Sequence, residues 1–201
     1  MLVLVERATG KADSIAVVNG ELLMERSLKI GTTPQRVTYQ VIGASPEQGL
    51  LFPDGWIAIV RLNPYRVDWR TTEGSVRAGA RLSAEDMTIN EAEKKSWRQR
   101  LIEREGEVAA ARLLDPPFAS AWAAITDDAL LPTPEGSLLI RRMSSARSTG
   151  TEYDVVDRQG KIQSRVQLKW SERVVGYGAR WLYVAQRDEN GTEHLHRYER
   201  N

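Results

Sequence analysis

Apolar and polar positions alternate over most of this chain, and the alternation is interrupted at short intervals by turns that contain Gly. Residues 55–61 read Gly-Trp-Ile-Ala-Ile-Val-Arg after the turn Pro53-Asp54; Tyr65–Arg70 alternates up to Glu73-Gly74; residues 75–81 alternate again. A period of two marks strands, and Gly-bearing turns between such runs mark hairpins, so an antiparallel meander is predicted here. The same grammar returns at Glu135-Gly136 followed by 137–141, at 152–157 with the turn Arg158-Gln159-Gly160, and at 161–168. It recurs at 173–178, 181–187, the turn 188–191 and 193–200, and two strands stand near the start at 2–7 and 12–18.

Meanders of four short strands repeated every 40–50 residues or so are the pattern of propeller blades, whose sheets bury their faces only by stacking on neighbours. The expected fold class is therefore all-β, a partial β-propeller of four-stranded antiparallel blades, with a β-sandwich as the alternative. The chain is expected to form a single partial propeller domain over 1–201: two strands of an incomplete blade in 1–20, a blade in 50–82, a helical insertion in 88–114, a blade in 122–168 and a last blade lacking its outer strand in 172–200. It thus begins and ends inside repeat units. Half a propeller would leave terminal faces and a strand edge unpartnered, so self-association is expected.

One segment departs from the β-pattern. Thr88-Ile89-Asn90-Glu91 has the form of a capping box, with Thr88 as the N-cap. Residues 89–105 are rich in Ala, Glu, Lys, Arg and Leu, with Ile89, Ala92, Trp97 and Leu101 at helical spacings; a second piece, 107–114, follows Gly106 and stops at Pro116-Pro117. The basic and acidic side chains of the segment nearly cancel, which reads as a solvated face.

Composition narrows the rest. The chain has 201 residues, with 28 Lys plus Arg against 27 Asp plus Glu, and no Cys. That size and balance fit one globular unit with its own core and exclude disorder. The charge balance gives no footprint for nucleic acid, the lack of Cys removes thiol chemistry and disulfides, and no apolar run reaches the length of a membrane span. The G-x-S-x-G, H-E-x-x-H, P-loop and dinucleotide fingerprints are all missing from the sequence.

The runs 53–61, 63–69, 116–118, 153–160 and 173–178, together with the helical insertion, resemble the C-terminal half of bacterial six-bladed β-propeller proteins related in architecture to NHL-repeat and TolB-like propellers. The resemblance spans about residues 8 to 200. It implies a propeller fold, a full-length protein that is exported or periplasmic, and binding of partners on a propeller face. It specifies little chemistry.

Candidate chemistry is sparse. His194 and His196 stand at i and i+2 on a predicted strand, so both rings share a face and are metal-ligand candidates; the competing reading is cross-strand packing or plain exposure. Asp127 and Asp128 are candidates for a hard cation such as Ca at the head of an inner strand, against turn capping. Arg141, Arg142 and Arg147 with Ser144, Ser145 and Ser148 read either as an anion-binding edge or as a solvated hairpin tip. Trp56, Trp69, Trp122 and Trp181 are expected to fill space between sheets. Two functions follow. The preferred one is a non-catalytic binding module without cofactor, holding a protein, peptide or glycan. The alternative resembles gluconolactonase and regucalcin-like hydrolases, in which a divalent cation polarises a lactone carbonyl, and for it the sequence offers only Glu47, Asp127 and Asp128.

Overall fold

The computed structural model describes residues 2–5, 10, 12–18, 23–30, 33–83, 88–105, 116–143 and 148–200. These form a mostly β molecule of antiparallel sheets with one helix. The first four-stranded sheet is built from β5 (Gln48–Leu51), β6 (Ile57–Leu62), β7 (Tyr65–Arg70) and β8 (Val76–Ala78), in that spatial order. The second contains β9 (Ile125–Pro132), β10 (Leu138–Arg142), β11 (Thr151–Val156) and β12 (Ile162–Leu168), again in chain order. The third has β13 (Glu172–Tyr177), β14 (Trp181–Arg187) and β15 (Glu193–Glu199). The first strands of successive sheets are neighbours, since β9 touches both β5 and β13.

Why the sheets stack can be read from β10. Leu138 and Ile140 join Ala58, Val60, Val67 and Trp69 in the core between the first and second sheets, whereas Leu139 joins Tyr153, Val155 and Val174 between the second and third. A stretch of strand with alternate side chains in two cores is apolar on both faces, and Leu138, Leu139 and Ile140 are fully buried.

The turns repeat too. In 52–56, 71–75, 133–137, 157–161 and 188–192, the first residue's N–H donates to the fifth carbonyl and the fourth residue, always Gly, donates to the first carbonyl. Each of these Gly residues has φ between 73° and 88°. A three-residue hairpin loop needs that left-handed conformation at its third place, where a Cβ is costly, so Gly recurs.

Two short hairpins precede the sheets: β1 (Leu2–Val5) with β2 (Ala12–Ala16), and β3 (Leu23–Ile30) with β4 (Thr33–Gln40). The second was not expected, because residues 23–30 mix polar and apolar side chains without a clean alternation.

The helix α1 (Glu91–Glu105) corrects the capping expectation. Thr88 is held in an extended bridge to Ala121, and Ile89 is buried beside Trp122 while its N–H donates to the Ser120 carbonyl. The first residue free to cap is therefore Asn90, whose Oδ1 accepts from the Glu93 N–H at 3.0 Å. Glu93 and Leu101 are buried and Trp97 half-buried, forming the inward stripe; Ala92 is exposed. Trp97 meets Phe118 edge-on at 5.4 Å. The expected second helical piece, 107–114, lies outside the described residues.

Candidate functional site

At one end of the stacked sheets the turns converge. Residues 52–54 of the first sheet, 132–136 and Arg158 of the second, and Tyr177 at the end of β13 surround a cleft of about 440 Å³. Its walls are Phe52, Pro132, Pro134 and Tyr177, and two ion pairs cross them. The Arg158 guanidinium donates to Asp54 through Nη2 and to the Gly136 carbonyl through Nε at 3.2 Å. Arg200 Nη1 donates to Glu135 Oε1 at 2.8 Å and to the Gly178 carbonyl at 2.9 Å.

Aromatic rings fix both guanidinium groups. Arg158 lies 4.5 Å from the centroid of Trp56, and Arg200 lies 4.2 Å from that of Tyr177. Trp56 in turn packs 6.3 Å from the fully buried Trp69, which also meets Phe52 at 5.2 Å. The site thus rests on the main core. The hydrogen bond from Arg158 holds the Asp54 carboxyl below its ordinary range, and that from Arg200 does the same for Glu135. Both acids are anionic near neutrality and already engaged. The cleft therefore has an apolar interior rimmed by fixed, paired charges, a lining suited to binding.

A second constellation is internal. Asp68 on β7 accepts from Arg66 Nε at 2.7 Å and from Arg61 Nε at 3.2 Å, while Arg61 Nη1 reaches Glu47 Oε2 at 2.8 Å and the Val17 carbonyl at 2.6 Å. Asp154 on β11 has no exposure; it accepts from Arg165 Nε at 3.1 Å and lies 3.9 Å from the buried Arg142. The Tyr65 hydroxyl of the first sheet approaches Asp154 Oδ2 at 3.5 Å, and burial together with the Asp154 charge pushes its pKa well above the usual phenol value.

The two Asp residues are equivalent. Each precedes its turn by three residues, and each faces the middle of the second strand, Asp68 opposite Ile59 and Asp154 opposite Ile140. In the third sheet the residue opposite Val184 is His196, so the pair of an Arg and a buried Asp is replaced.

The expected site residues fall elsewhere. His194 and His196 are exposed on β15, where His194 Nε2 pairs with Asp188 Oδ2 at 2.9 Å and His196 stands 6.4 Å from the Tyr198 ring. Glu47 is committed to Arg61. Asp127 lies in β9 with its side chain outside the described residues, and Asp128 is exposed with φ 52°.

Asp127 and Asp128 sit on a bulge. Between the pairs Ile140↔Leu130 and Arg142↔Ile125, β9 advances five residues and β10 only two. The Gln48 amide of β5 bridges that gap, donating to the Thr126 carbonyl at 2.6 Å and accepting from the Ala129 N–H at 3.2 Å. Among the described residues, no three His, Asp or Glu side chains gather into a metal-binding group.

Arg142 is a correction, for it is a buried strand residue of the Asp154 network and not part of a solvated tip. Ser144, Ser145 and Arg147 lie outside the described residues. Among those described, no helix is long and apolar enough to cross a membrane.

Sequence reasoning missed Asp54, Glu135, Arg158 and Arg200, although a signal was present: the turns carry Asp or Glu just before Gly at 54 and 135. In comparisons with known proteins, no family model, no curated protein and no solved structure matches this chain.

Proposed function

We propose that this chain is a run of β-propeller blades that serves as a non-catalytic binding module, with the cleft between the sheet-end turns as its ligand surface. Up-and-down sheets in series, with neighbouring first strands and an equivalent Arg–Asp pair in the first two, support the propeller reading. The observation that carries the binding reading is the lining of the cleft, where Pro132, Pro134 and Tyr177 line it at the ends of the second and third sheets, the buried Phe52 backs it from the first, and every lining carboxylate is already held by an arginine. Loops on a rigid scaffold are where such modules hold their ligands. A lactonase-type site would require converging carboxylates, and Glu47 is occupied by Arg61.

A random peptide library displayed on phage tests the reading. Peptides enriched on the protein are expected to lose binding to Pro134→Arg, which puts bulk and charge into the cleft from an exposed turn position. They should keep binding to Glu189→Arg, which changes the same place in the turn at the other end of the third sheet. Failure to enrich any peptide, or equal binding to Pro134→Arg, sinks the proposal.

A further inference from the structure

We infer that the ligand surface continues past Arg158 into a second hollow and receives an extended peptide whose acidic side chain is bound by Arg77. The inference rests on the reading of the turn-end cleft as the ligand surface. It names the chemistry of the partner, which that reading leaves open.

Arg158 lines both hollows. Beyond it, a space of about 330 Å³ is bounded by Trp56, Arg77, Ala78, Gly79 and Gln159. Ala78 and Gly79 carry almost no side chain into it, and the two cavities share Arg158, whose guanidinium stands over Trp56. A chain laid across the turns would place an apolar residue between Pro134 and Tyr177 and a following residue beside Trp56.

The charges choose the sign of that residue. Asp54 is paired with Arg158, and Glu135 with Arg200, so the carboxylates of the first cleft are neutralised in place. Arg77 differs. It is exposed, its guanidinium stands 5.8 Å from the Trp56 centroid, and among the described residues it forms no ion pair, acting on Glu73 only through space. Of the two arginines that line the combined surface, Arg158 is held by Asp54, and Arg77 is the one with no carboxylate at ion-pair distance among the described residues. An Asp or Glu side chain accepts a forked hydrogen bond from a guanidinium, while Lys or Arg would meet a like charge that no ion pair holds. Trp56 beneath Arg77 limits the directions its guanidinium can take, lowering the ordering required on binding.

The test uses the same displayed library with the protein and with Arg77→Glu as targets, followed by anisotropy measurements on a fluorescein-labelled Pro-Leu-Glu repeat peptide and its Pro-Leu-Lys counterpart. Peptides enriched on the protein should carry Asp or Glu, and those enriched on Arg77→Glu should carry Lys or Arg. The Glu peptide should bind the protein at least tenfold more tightly than the Lys peptide, an order that Arg77→Glu reverses and Arg77→Lys weakens without reversing. Enriched peptides that bind in the Pro134→Arg-sensitive cleft but show no acidic preference overturn this inference and leave the binding module standing. No enrichment at all removes both. An affinity of the Glu peptide that stays within twofold on Arg77→Glu overturns the role of Arg77.

Discussion

Gly79 and Gly160 meet backbone to backbone where the first four-stranded sheet joins the second. A Cβ on Gly160 would fall 2.5 Å from the Cα of Gly79, and a Cβ on Gly79 would fall 3.1 Å from the Cα of Gly160 and 2.2 Å from the Val67 carbonyl oxygen. Sheets approach this closely only where neither carries a side chain. Gly79 also lines the hollow beside Trp56 and Arg158, so the contact that sets the spacing of the sheets also borders that hollow.

Gly160→Ala is expected to combine two penalties, left-handed strain at φ 73° and a clash with backbone that has no flexible end to yield. Their sum is about 2–5 kcal/mol. Gly191→Ala is the comparison, with a similar φ of 83° but only the Arg187 side chain nearby at 3.3 Å, and is expected to lose about 1–2 kcal/mol. Urea denaturation midpoints measure both; equal losses would mean that the sheets separate without cost.

The buried Asp residues make a second pair of expectations. Asp154→Ala leaves Arg142 as an almost unexposed cation without its carboxylate, a change worth about 3–5 kcal/mol. Asp68→Ala should lose less, because Arg61 and Arg66 keep partial access to water. A larger loss at Asp68 in denaturant titrations would reverse this ranking of the two networks.

Asp68 also gives a pH dependence. Burial raises its pKa, but the hydrogen bonds from Arg66 and Arg61 outweigh burial and hold it below the ordinary 3.8. The folded state binds that proton more weakly than the unfolded one, so the stabilisation is complete above the unfolded pKa and is lost as pH falls through the folded value. The stability difference between the protein and Asp68→Asn should stay constant above about pH 5 and shrink as the pH drops below about 4. Unfolding curves across that range that stay parallel would refute the assignment.

Legibility followed the range of each interaction. The turn glycines, the apolar run of β6 and the alternation in β7 are local properties, and they were readable because one residue's φ or one strand's two faces determine them. The cap at Asn90 was missed because it depends on a bridge between Thr88 and Ala121, distant in sequence. The turn-end cleft was hidden for the same reason, since Asp54 meets Arg158 and Glu135 meets Arg200 only after the sheets have stacked. The buried role of Arg142 was equally out of reach, as a charged residue at a strand end reads as solvated until Asp154 and Tyr65 are brought to it.

The cap can be tested directly. Asn90→Ala should destabilise helix α1 by about 1 kcal/mol, because the Glu93 N–H loses its acceptor. Thr88→Ala keeps the backbone bridge to Ala121 and should change helicity less. Circular dichroism melts of the two variants decide between the caps, and a larger loss at Thr88 would restore it as the N-cap.

The last expectation concerns β15. All of its residues are exposed; it pairs with β14 on one side, and among the described residues no strand pairs with its other edge. Leu195, at 68% exposure, and Tyr198, at 46%, lie open on opposite faces of that strand. A long strand with an open edge and apolar side chains is a template for another strand, and the charges of Glu193, Arg197 and Glu199 moderate that tendency without blocking it. The chain is therefore expected to self-associate as concentration rises, and Leu195→Lys, which places a further charge at the centre of the edge, should shift the association to higher concentration. Light scattering coupled to size exclusion over a dilution series reads both. A monomer that stays monodisperse at every concentration would show that the edge of β15 is already protected, and the variant would then have nothing to change.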